Sequence, residues 1–306
     1  MAETETPTRV QDGISGGLKI PQLAEYELRG IINPDHPNVF LGRHKESGLE
    51  VVVKAARPIF VKSIKPELDP MLVGNICLCY EHAIQETLDH PNILSPIELY
   101  RQNDDFYLVT PRVGETDLYP QDSYIRKLPE QVKLSLLAQT ASALSYCKKE
   151  GLVHLDIKPA NIRVENKKAT LIDFGAARRL GERHCVIDKI AMSTPDVAAP
   201  EHRFDSIITP SADVFSFACL AYELLTGHKP FEYIDHFEVL RYKSPLHDRK
   251  AVARFGKTGE LIIKGMAYKH TERPEIEELA EALREQSARY YPQPSEQPSV
   301  PSPVLV

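Results

Sequence analysis

The pattern of apolar residues changes once along the sequence, from strand-like to helix-like, and this change restricts the folds that the chain can adopt. Residues 18–113 hold short β-branched runs such as Val51-Val52-Val53, separated by turn formers, which is typical of strands. Beyond about residue 114 the apolar residues recur at helical spacing, most clearly over Glu130–Lys149. The pattern predicts an α+β fold with a smaller, strand-rich lobe and a larger, helical lobe. A cleft between two unequal lobes is a usual place for a ligand.

The two ends of the chain differ from this body. Residues 1–17 lack apolar periodicity and are predicted to form a disordered arm, so that the lobes cover residues 18–113 and 114–288. Residues 289–306 hold five prolines among serines and glutamines, which favours a disordered tail. The proline spacing suits a partner that binds polyproline helices, and a tail without a partner is the simpler interpretation.

Three helical stretches can be placed from their apolar residues. One, at 79–88, interrupts the strands of the smaller lobe. Residues 213–225 are apolar on nearly all sides, which indicates a helix buried inside the larger lobe. Residues 275–287 form an amphipathic pattern introduced by Pro274 and predict a helix that closes the fold.

Composition excludes several classes of protein. The net charge is −6 and the pI about 6.0, so binding of nucleic acid through bulk positive charge is not expected. The sequence has neither a membrane-length apolar run nor the pattern of a secretory signal, and we expect no membrane partner. Five cysteines in 306 residues do not suggest a disulfide framework. We therefore expect a soluble, cytoplasmic protein, with a nuclear or host-cell location left open.

The residues most suited to chemistry lie close together in the sequence. Asp156, Asn161 and Asp173 fall within eighteen positions, between short apolar runs. A carboxylate and an amide supply the oxygen ligands that Mg²⁺ prefers, together with substrate phosphates. A further carboxylate can accept a proton from a hydroxyl nucleophile, and Lys158 can neutralise a transferring phosphoryl group.

In this order the residues resemble a eukaryotic-type Ser/Thr protein kinase over most of residues 25–287. Residues 154–161 match the catalytic loop H-R-D-x-x-x-x-N except at its second place, and Asp173-Phe174-Gly175 matches D-F-G. The resemblance implies a bilobal protein-kinase-like fold in which Asp156 accepts the proton of the substrate hydroxyl. It also implies that Asn161 and Asp173 hold Mg²⁺ against the phosphates of ATP. Lys158, two places after Asp156, is the Ser/Thr rather than the tyrosine form of the loop.

The same resemblance assigns a lysine and its partner. Val51-Val52-Val53-Lys54 resembles the V-A-I-K of the third strand, so Lys54 would contact the α- and β-phosphates. Its usual partner is a helix glutamate. Glu81, nine residues before a segment resembling H-P-N-I, is the predicted one, and Glu86 is the alternative on another side of the helix. Residues 58–75 would then be an insertion ahead of the helix.

The resemblance also outlines an adenine pocket in the cleft. Val39 would end the phosphate-covering loop, and Val52 stands where an alanine usually covers the adenine. Thr110 would lie at the back of the pocket. Pro111 has no N–H, so its carbonyl and the backbone of Val113 are the candidates to pair with the adenine edge.

Two structural ties follow from the family pattern. Ala199-Pro200-Glu201 resembles the end of the activation segment, and Glu201 would pair with Arg273. Asp213 would begin the buried central helix and hold the backbone of the catalytic loop.

The sequence departs from the family pattern at three places. Residues 31–38, where the phosphate-covering loop normally carries glycines, contain none, and they include Pro34 and Pro37. Glycines there let backbone N–H groups approach phosphate, so a weaker grip on the nucleotide is expected. Val52 narrows the adenine pocket by two methyl groups. Leu155 replaces the arginine that precedes the catalytic-loop aspartate, which makes this a non-RD sequence.

The sequence therefore predicts a Ser/Thr protein kinase that uses ATP and Mg²⁺ to phosphorylate a protein hydroxyl. The alternative is a pseudokinase, in which the same residues are structural pairs and the fold is a scaffold or regulatory binding module.

We expect phosphatase treatment to leave the basal activity of the protein unchanged. Leu155 cannot receive an activation-segment phosphate as the usual arginine does, so loop phosphorylation loses its main acceptor. Phosphate transfer measured before and after treatment tests this, and a large drop after treatment would refute it.

Overall fold

The computed structural model describes residues 20–34, 36–59, 68–114, 116–181, 199–201, 208–231 and 249–289. The predicted arm at 1–17 lies outside the described residues, as does the predicted tail apart from Arg289, the last residue of a helix.

The N-terminal part is an antiparallel sheet of five strands with one helix packed against it. The strand order is β1-β2-β3-β5-β4, so each strand pairs with its chain neighbour except where the helix interrupts between β3 and β4. The helix contacts β4 and β5. The bounds are β1 Tyr26–Ile31, β2 Val39–His44, β3 Glu50–Ala55, α1 Pro70–Gln85, β4 Glu98–Gln102 and β5 Asp105–Pro111.

Strand β3 separates the two faces of this sheet. Val51 and Val53 are fully buried and pack with Tyr26, Tyr107 and Val109 in a small core of their own. Successive side chains of a strand point to opposite faces, so Val52 and Lys54 lie on the other face of the sheet. That face is turned to the cleft.

Helix α1 begins nine residues earlier than the predicted stretch at 79–88, so that expectation was wrong at its start. Asp69 caps the helix by accepting a hydrogen bond from the N–H of Met71 at 2.8 Å, and Pro70 occupies the first turn, where its missing N–H costs nothing. Residues 70–75 of the supposed insertion are therefore helical, and residues 60–67 lie outside the described part of the chain.

The C-terminal part is mainly helical, with short strands that carry the loops of the cleft. Helix α3 packs against both α4 and α7, and the described small sheets have the orders β6-β8-β9 and β7-β10. Among the described residues the helices are α2 Ser123–Lys127, α3 Glu130–Lys149, α4 Pro210–Thr226, α5 Arg249–Ala253, α6 Lys257–Gly265 and α7 Ile276–Arg289. The strands described there are β6 Thr116–Asp117, β7 Leu152–Val153, β8 Ile162–Glu165, β9 Lys168–Leu171 and β10 Arg178–Arg179.

Helix α4 is the centre of the larger lobe. Every residue from 212 to 225 is buried, which confirms the expectation from its all-round apolar sequence. Gly227 ends the helix in the left-handed conformation, with φ of 78°, and its N–H bonds the carbonyl of Glu223 at 2.8 Å. The α+β, two-lobe architecture is thus confirmed. In the described part of the chain, no helix combines the length and apolar character needed to cross a membrane.

A buried ion pair fixes the underside of this lobe. The guanidinium of Arg273 donates to both carboxylate oxygens of Glu201, at 2.6 and 2.8 Å, and the Arg273 side chain is fully buried. Arg273 also donates to the carbonyl of Ser211 at 2.8 Å and lies over the ring of Phe215 at 4.9 Å. The predicted pairing of these two residues is confirmed.

We expect Arg273→Met to lower the free energy of unfolding by about 3–5 kcal/mol, because Glu201 would be left as an uncompensated buried charge. The nearby exposed pair Lys269–Glu272 supplies the control, and Lys269→Met should cost less than about 1 kcal/mol. Urea unfolding measures both. Similar losses in the two variants would show that burial does not set the strength of the Arg273 pair.

Candidate active site

Four predicted site residues share the cleft-facing side of the sheet. On β3, Val52 and Lys54 are two positions apart and so lie on one face. Val39 on β2 is the register partner of Lys54, and Thr110 on β5 is the register partner of Val52. Partners in an antiparallel pair point to the same side, so all four belong to the cleft.

Lys54 joins three elements at one ammonium group. Its Nζ lies 2.8 and 2.9 Å from the carboxylate oxygens of Glu81 on α1 and 2.8 Å from Oδ1 of Asp173. Glu86 lies elsewhere: its side chain is 69% exposed, and its carboxylate is 3.8 Å from the ring of His82. Glu81 is therefore the partner of Lys54, as the helix spacing predicts.

Charge pairing outweighs burial in setting the pKa of two of the three groups in this cluster. Burial would lower the pKa of Lys54, but Asp173 and Glu81 outweigh it and raise that pKa above its ordinary value. Burial would likewise raise the pKa of Asp173, and Lys54 instead holds it well below the usual range. Burial raises the pKa of Glu81 to about 7 against the opposing effect of Lys54. Lys54 and Asp173 are thus both ionised at neutral pH.

The backbone of the catalytic loop, residues 154–161, is hydrogen-bonded to the central helix α4. The carboxylate of Asp213 accepts hydrogen bonds from the backbone N–H of His154 at 2.7 Å and of Leu155 at 2.8 Å. Leu155 has φ of 65°, a left-handed conformation that is costly for a branched side chain and persists only when its surroundings hold it. The predicted anchoring role of Asp213 is confirmed.

Asp156, Lys158 and Asn161 form a hydrogen-bonded cluster at the end of this loop. The amide nitrogen of Asn161 donates to the carbonyl of Asp156 at 2.8 Å and to its carboxylate Oδ2 at 2.9 Å. Lys158 Nζ lies 2.8 Å from the same Oδ2. These contacts fix the orientation of the Asp156 carboxylate, whose side chain is 14% exposed.

The Asp173-Phe174-Gly175 segment turns one side chain inward and the other towards Lys54. Phe174 is fully buried, and its ring packs edge-on against His154 with the centroids 4.8 Å apart. Asp173 has φ of 61°, and its side chain remains 42% exposed while its Oδ1 contacts Lys54. The segment therefore presents a carboxylate to the cleft and uses its phenylalanine as an anchor.

The donor set fits a magnesium ion that is shared with phosphates. Both recorded hydrogen bonds of the Asn161 amide are made by its nitrogen, which leaves the carbonyl oxygen as the atom that suits a cation. Asp173 adds a partly exposed, ionised carboxylate. Within the described residues, no three His, Cys, Asp or Glu side chains gather into a metal site. Mg²⁺ commonly binds through one or two protein groups plus substrate phosphates, so the residues fit the ion.

The phosphate-covering loop is folded onto itself. The N–H of His36 bonds the carbonyl of Asn33 at 2.9 Å, and the N–H of Val39 bonds the carbonyl of His36 at 3.0 Å. Pro34 and Pro37 have no N–H to offer. The N–H groups of His36 and Val39 are thus used in bonds within the loop, and the two prolines have none. Both facts are consistent with the expected weaker binding of phosphate.

The linker, residues 111–114, connects the sheet to the larger lobe. Thr110, the residue before the linker, donates from Oγ1 to the carbonyl of Val52 at 3.5 Å. The carbonyl of Val113, one of the predicted adenine contacts, accepts a hydrogen bond at 3.2 Å from Nε of Arg163 on β8. The sequence analysis missed Arg163. The available signal was a lone arginine between the buried Ile162 and Val164.

We expect Asp213→Ala to lower the free energy of unfolding by about 2–4 kcal/mol, because two buried N–H groups lose their acceptor. Asp122 caps α2 by accepting from the N–H groups of Tyr124 and Ile125 near the surface, so Asp122→Ala should cost only about 1 kcal/mol. Chemical unfolding of both variants provides the measurement. An equal loss in the two would contradict the anchoring role.

Comparison with known proteins agrees with this geometry. A family model described as the protein kinase domain matches residues 35–283. The chain is 30% identical over 205 residues to serine/threonine-protein kinase ATG1a of Arabidopsis thaliana, covering 66% of this chain and 31% of that protein. It is 28% identical over 210 residues to calcium-dependent protein kinase 5 of Plasmodium falciparum, covering 65% and 36%.

A third relative is sperm motility kinase 2A of Mus musculus, 28% identical over 216 residues, which are 68% of this chain and 39% of that protein. The chain thus spans between 31% and 39% of the length of these curated relatives. The match of the family model covers most of the chain, from residue 35 in the phosphate-covering loop to residue 283 in α7. The chain belongs to the eukaryotic-type protein kinase domain family.

Proposed function

We propose that this chain is an ATP-dependent protein kinase that transfers the γ-phosphoryl group to a serine or threonine hydroxyl of a protein substrate. The observation that carries the proposal is the simultaneous contact of Lys54 with Glu81 and Asp173. In phosphoryl transfer catalysed by protein kinases, this ion pair and this metal-binding aspartate must both be in place.

The side chains divide the work of the reaction between them. Lys54 neutralises the α- and β-phosphates, and Asn161 and Asp173 supply the oxygen ligands for Mg²⁺. The bound ion neutralises negative charge on the nucleotide phosphates. Asp156 receives the proton of the attacking hydroxyl, and its carboxylate is oriented by the donors of Asn161 and Lys158.

Lys158 has a second task beside the transferring group. Its ammonium is held 2.8 Å from Asp156, so it would lie beside the negative charge that develops on the transferring group. A positioned cation at such a point lowers the barrier without further reorganisation. A lysine two places after the aspartate resembles the Ser/Thr form of the loop, which supports a serine or threonine hydroxyl as the acceptor, in line with the printed name of the Arabidopsis thaliana relative.

The base would bind on the cleft side of the sheet. Val39 and Val52 would cover the adenine and Thr110 would limit the depth of its pocket. The carbonyl of Pro111 offers an acceptor and the N–H of Val113 a donor, which match the amino group and ring nitrogen of the adenine edge.

Several broader expectations stay proposals. We propose lobe limits of 18–113 and 114–288, a cytoplasmic location, and the tail of residues 289–306 as a segment that a polyproline-binding partner can recognise.

A second function, a pseudokinase scaffold, is favoured by one observation. The phosphate-covering loop uses its N–H groups at His36 and Val39 internally, and it lacks them at Pro34 and Pro37. With these four positions unable to donate to phosphates, the cleft would serve as a regulatory or docking surface. The intact Lys54, Asp156, Asn161 and Asp173 contacts favour the enzyme over this alternative.

Transfer of labelled phosphate from ATP to a generic basic protein tests the proposal. We expect Asp173→Asn and Asp156→Ala to reduce incorporation by about a hundredfold or more, because each removes a metal ligand or the proton acceptor. Asp104→Asn, on a fully exposed side chain between β4 and β5, is the matched control and should retain the activity. Equal incorporation by the wild type and the two site variants would contradict the proposal that the chain is an enzyme.

The two candidate glutamates of α1 give a sharper comparison. We expect Glu81→Gln to lower kcat/KM for ATP by about tenfold, since Lys54 loses an ionic partner that positions it, whereas Glu86→Gln should change it by less than about twofold. Steady-state kinetics with varied ATP give the values, and thermal melting checks the fold of each variant. A larger effect at Glu86 would contradict the assignment.

A further inference from the structure

Arg163 lies on the side of a small sheet that faces away from the core. Its neighbours on β8, Ile162 and Val164, are buried in the core of the larger lobe. By the alternation of a strand, the Arg163 side chain leaves on the opposite face. Its register partner on β6 is Asp117, three residues after the end of the linker.

Each of the three guanidinium nitrogens of Arg163 contacts either the linker or this aspartate. Nε donates to the carbonyl of Val113 at 3.2 Å, and Nη2 donates to the carbonyl of Gly114 at 2.7 Å. Nη1 forms an ion pair with Oδ1 of Asp117. The Arg163 side chain is 23% exposed, so these bonds are partly shielded from water and are stronger than those of a surface arginine.

The close approach of the linker to β8 depends on Gly114. This glycine has φ of 65°, a conformation that side-chain-bearing residues rarely adopt. A Cβ built on it would lie 2.7 Å from the Cβ of Arg163 and 3.1 Å from the backbone nitrogen of Val164. Gly114 thus lets the linker reach the fork of the arginine, and it is a second observation that points to the same contact.

We propose that Arg163 is a positioning residue that fixes the linker for recognition of the nucleotide base. This inference rests on the proposed function, since it assigns Arg163 to the base-binding end of the same cleft. The linker carries the two groups assigned to the adenine edge, the carbonyl of Pro111 and the N–H of Val113. Arg163 holds the carbonyl of Val113 by a hydrogen bond. This bond restrains the backbone of the linker, and so the direction in which the Pro111 carbonyl and the Val113 N–H face the cleft.

The shape of the arginine matters as well as its charge. A guanidinium presents several donors in a fixed plane and can serve two carbonyls and a carboxylate at once, whereas a lysine is a point charge on a flexible stem. Arg163 makes no hydrogen bond to Lys54, Asn161 or Asp173, to which the phosphates and their cation are assigned. Loss of Arg163 should therefore weaken binding of the base while leaving the phosphoryl-transfer step intact.

Binding of ATP·Mg²⁺ by calorimetry, with steady-state kinetics, tests the proposal on the full chain. We expect Arg163→Met to raise Kd and KM for ATP by about tenfold with kcat within about twofold of the wild type, the signature of lost uniform binding. Arg163→Lys should be intermediate. Gly114→Ala should raise Kd in the same direction, because its Cβ pushes the linker from β8. Arg126→Met, at an exposed arginine of α2, is the control and should leave both constants unchanged.

The outcomes separate this inference from the proposed function. If the wild type binds and transfers phosphate but Arg163→Met and Gly114→Ala keep its Kd, the positioning role is wrong. A fall in kcat with an unchanged KM in these variants also overturns it. If the wild type neither binds ATP nor transfers phosphate, the proposed function fails and this inference fails with it. Should Arg163→Met not fold by thermal melting, Arg163→Lys and Gly114→Ala decide the question.

Discussion

The ammonium group of Lys54 is the contact on which the cleft depends. It connects β3 and α1 of the smaller lobe to the Asp173 carboxylate of the larger lobe within 2.9 Å. Taking three charged groups partly out of water is costly, and only mutual pairing makes it tolerable. The arrangement therefore fixes the position of α1 relative to the cleft, and it leaves the Asp173 carboxylate ionised and partly exposed for a cation.

In the larger lobe, a second set of contacts holds the catalytic loop and Arg273 in place. Helix α4, buried along nearly its whole length, holds the catalytic loop through Asp213 and supports Arg273 through the ring of Phe215. The strained backbone of Leu155 is held in place by the same carboxylate. Rigid elements of this kind keep Asp156 in one orientation, which is what a reaction dominated by positioning and charge requires.

Much of this could be predicted from the sequence, because local patterns carry local structure. The stripe over Glu130–Lys149 predicted both bounds of that helix. The partner of Lys54 followed from the family resemblance, since Glu81 lies nine residues before a segment that resembles H-P-N-I. Apolar periodicity does not mark the start of α1, which the capping signal Asp69-Pro70 sets instead. The alternation of Ile162, Arg163 and Val164 places the arginine off the buried face, but its partners at 113, 114 and 117 lie about fifty residues away in sequence, so this local pattern does not identify them.

The central claim is that the cleft is built for a nucleotide whose phosphates share a divalent cation with Asn161 and Asp173. The affinity for ADP, measured by calorimetry with Mg²⁺ and again with the ion removed by a chelator, tests this most directly. The account predicts binding that is at least about tenfold tighter with Mg²⁺, since the ion bridges the ligand to those two side chains. Binding of equal strength with and without the ion, or no binding in either case, would contradict it.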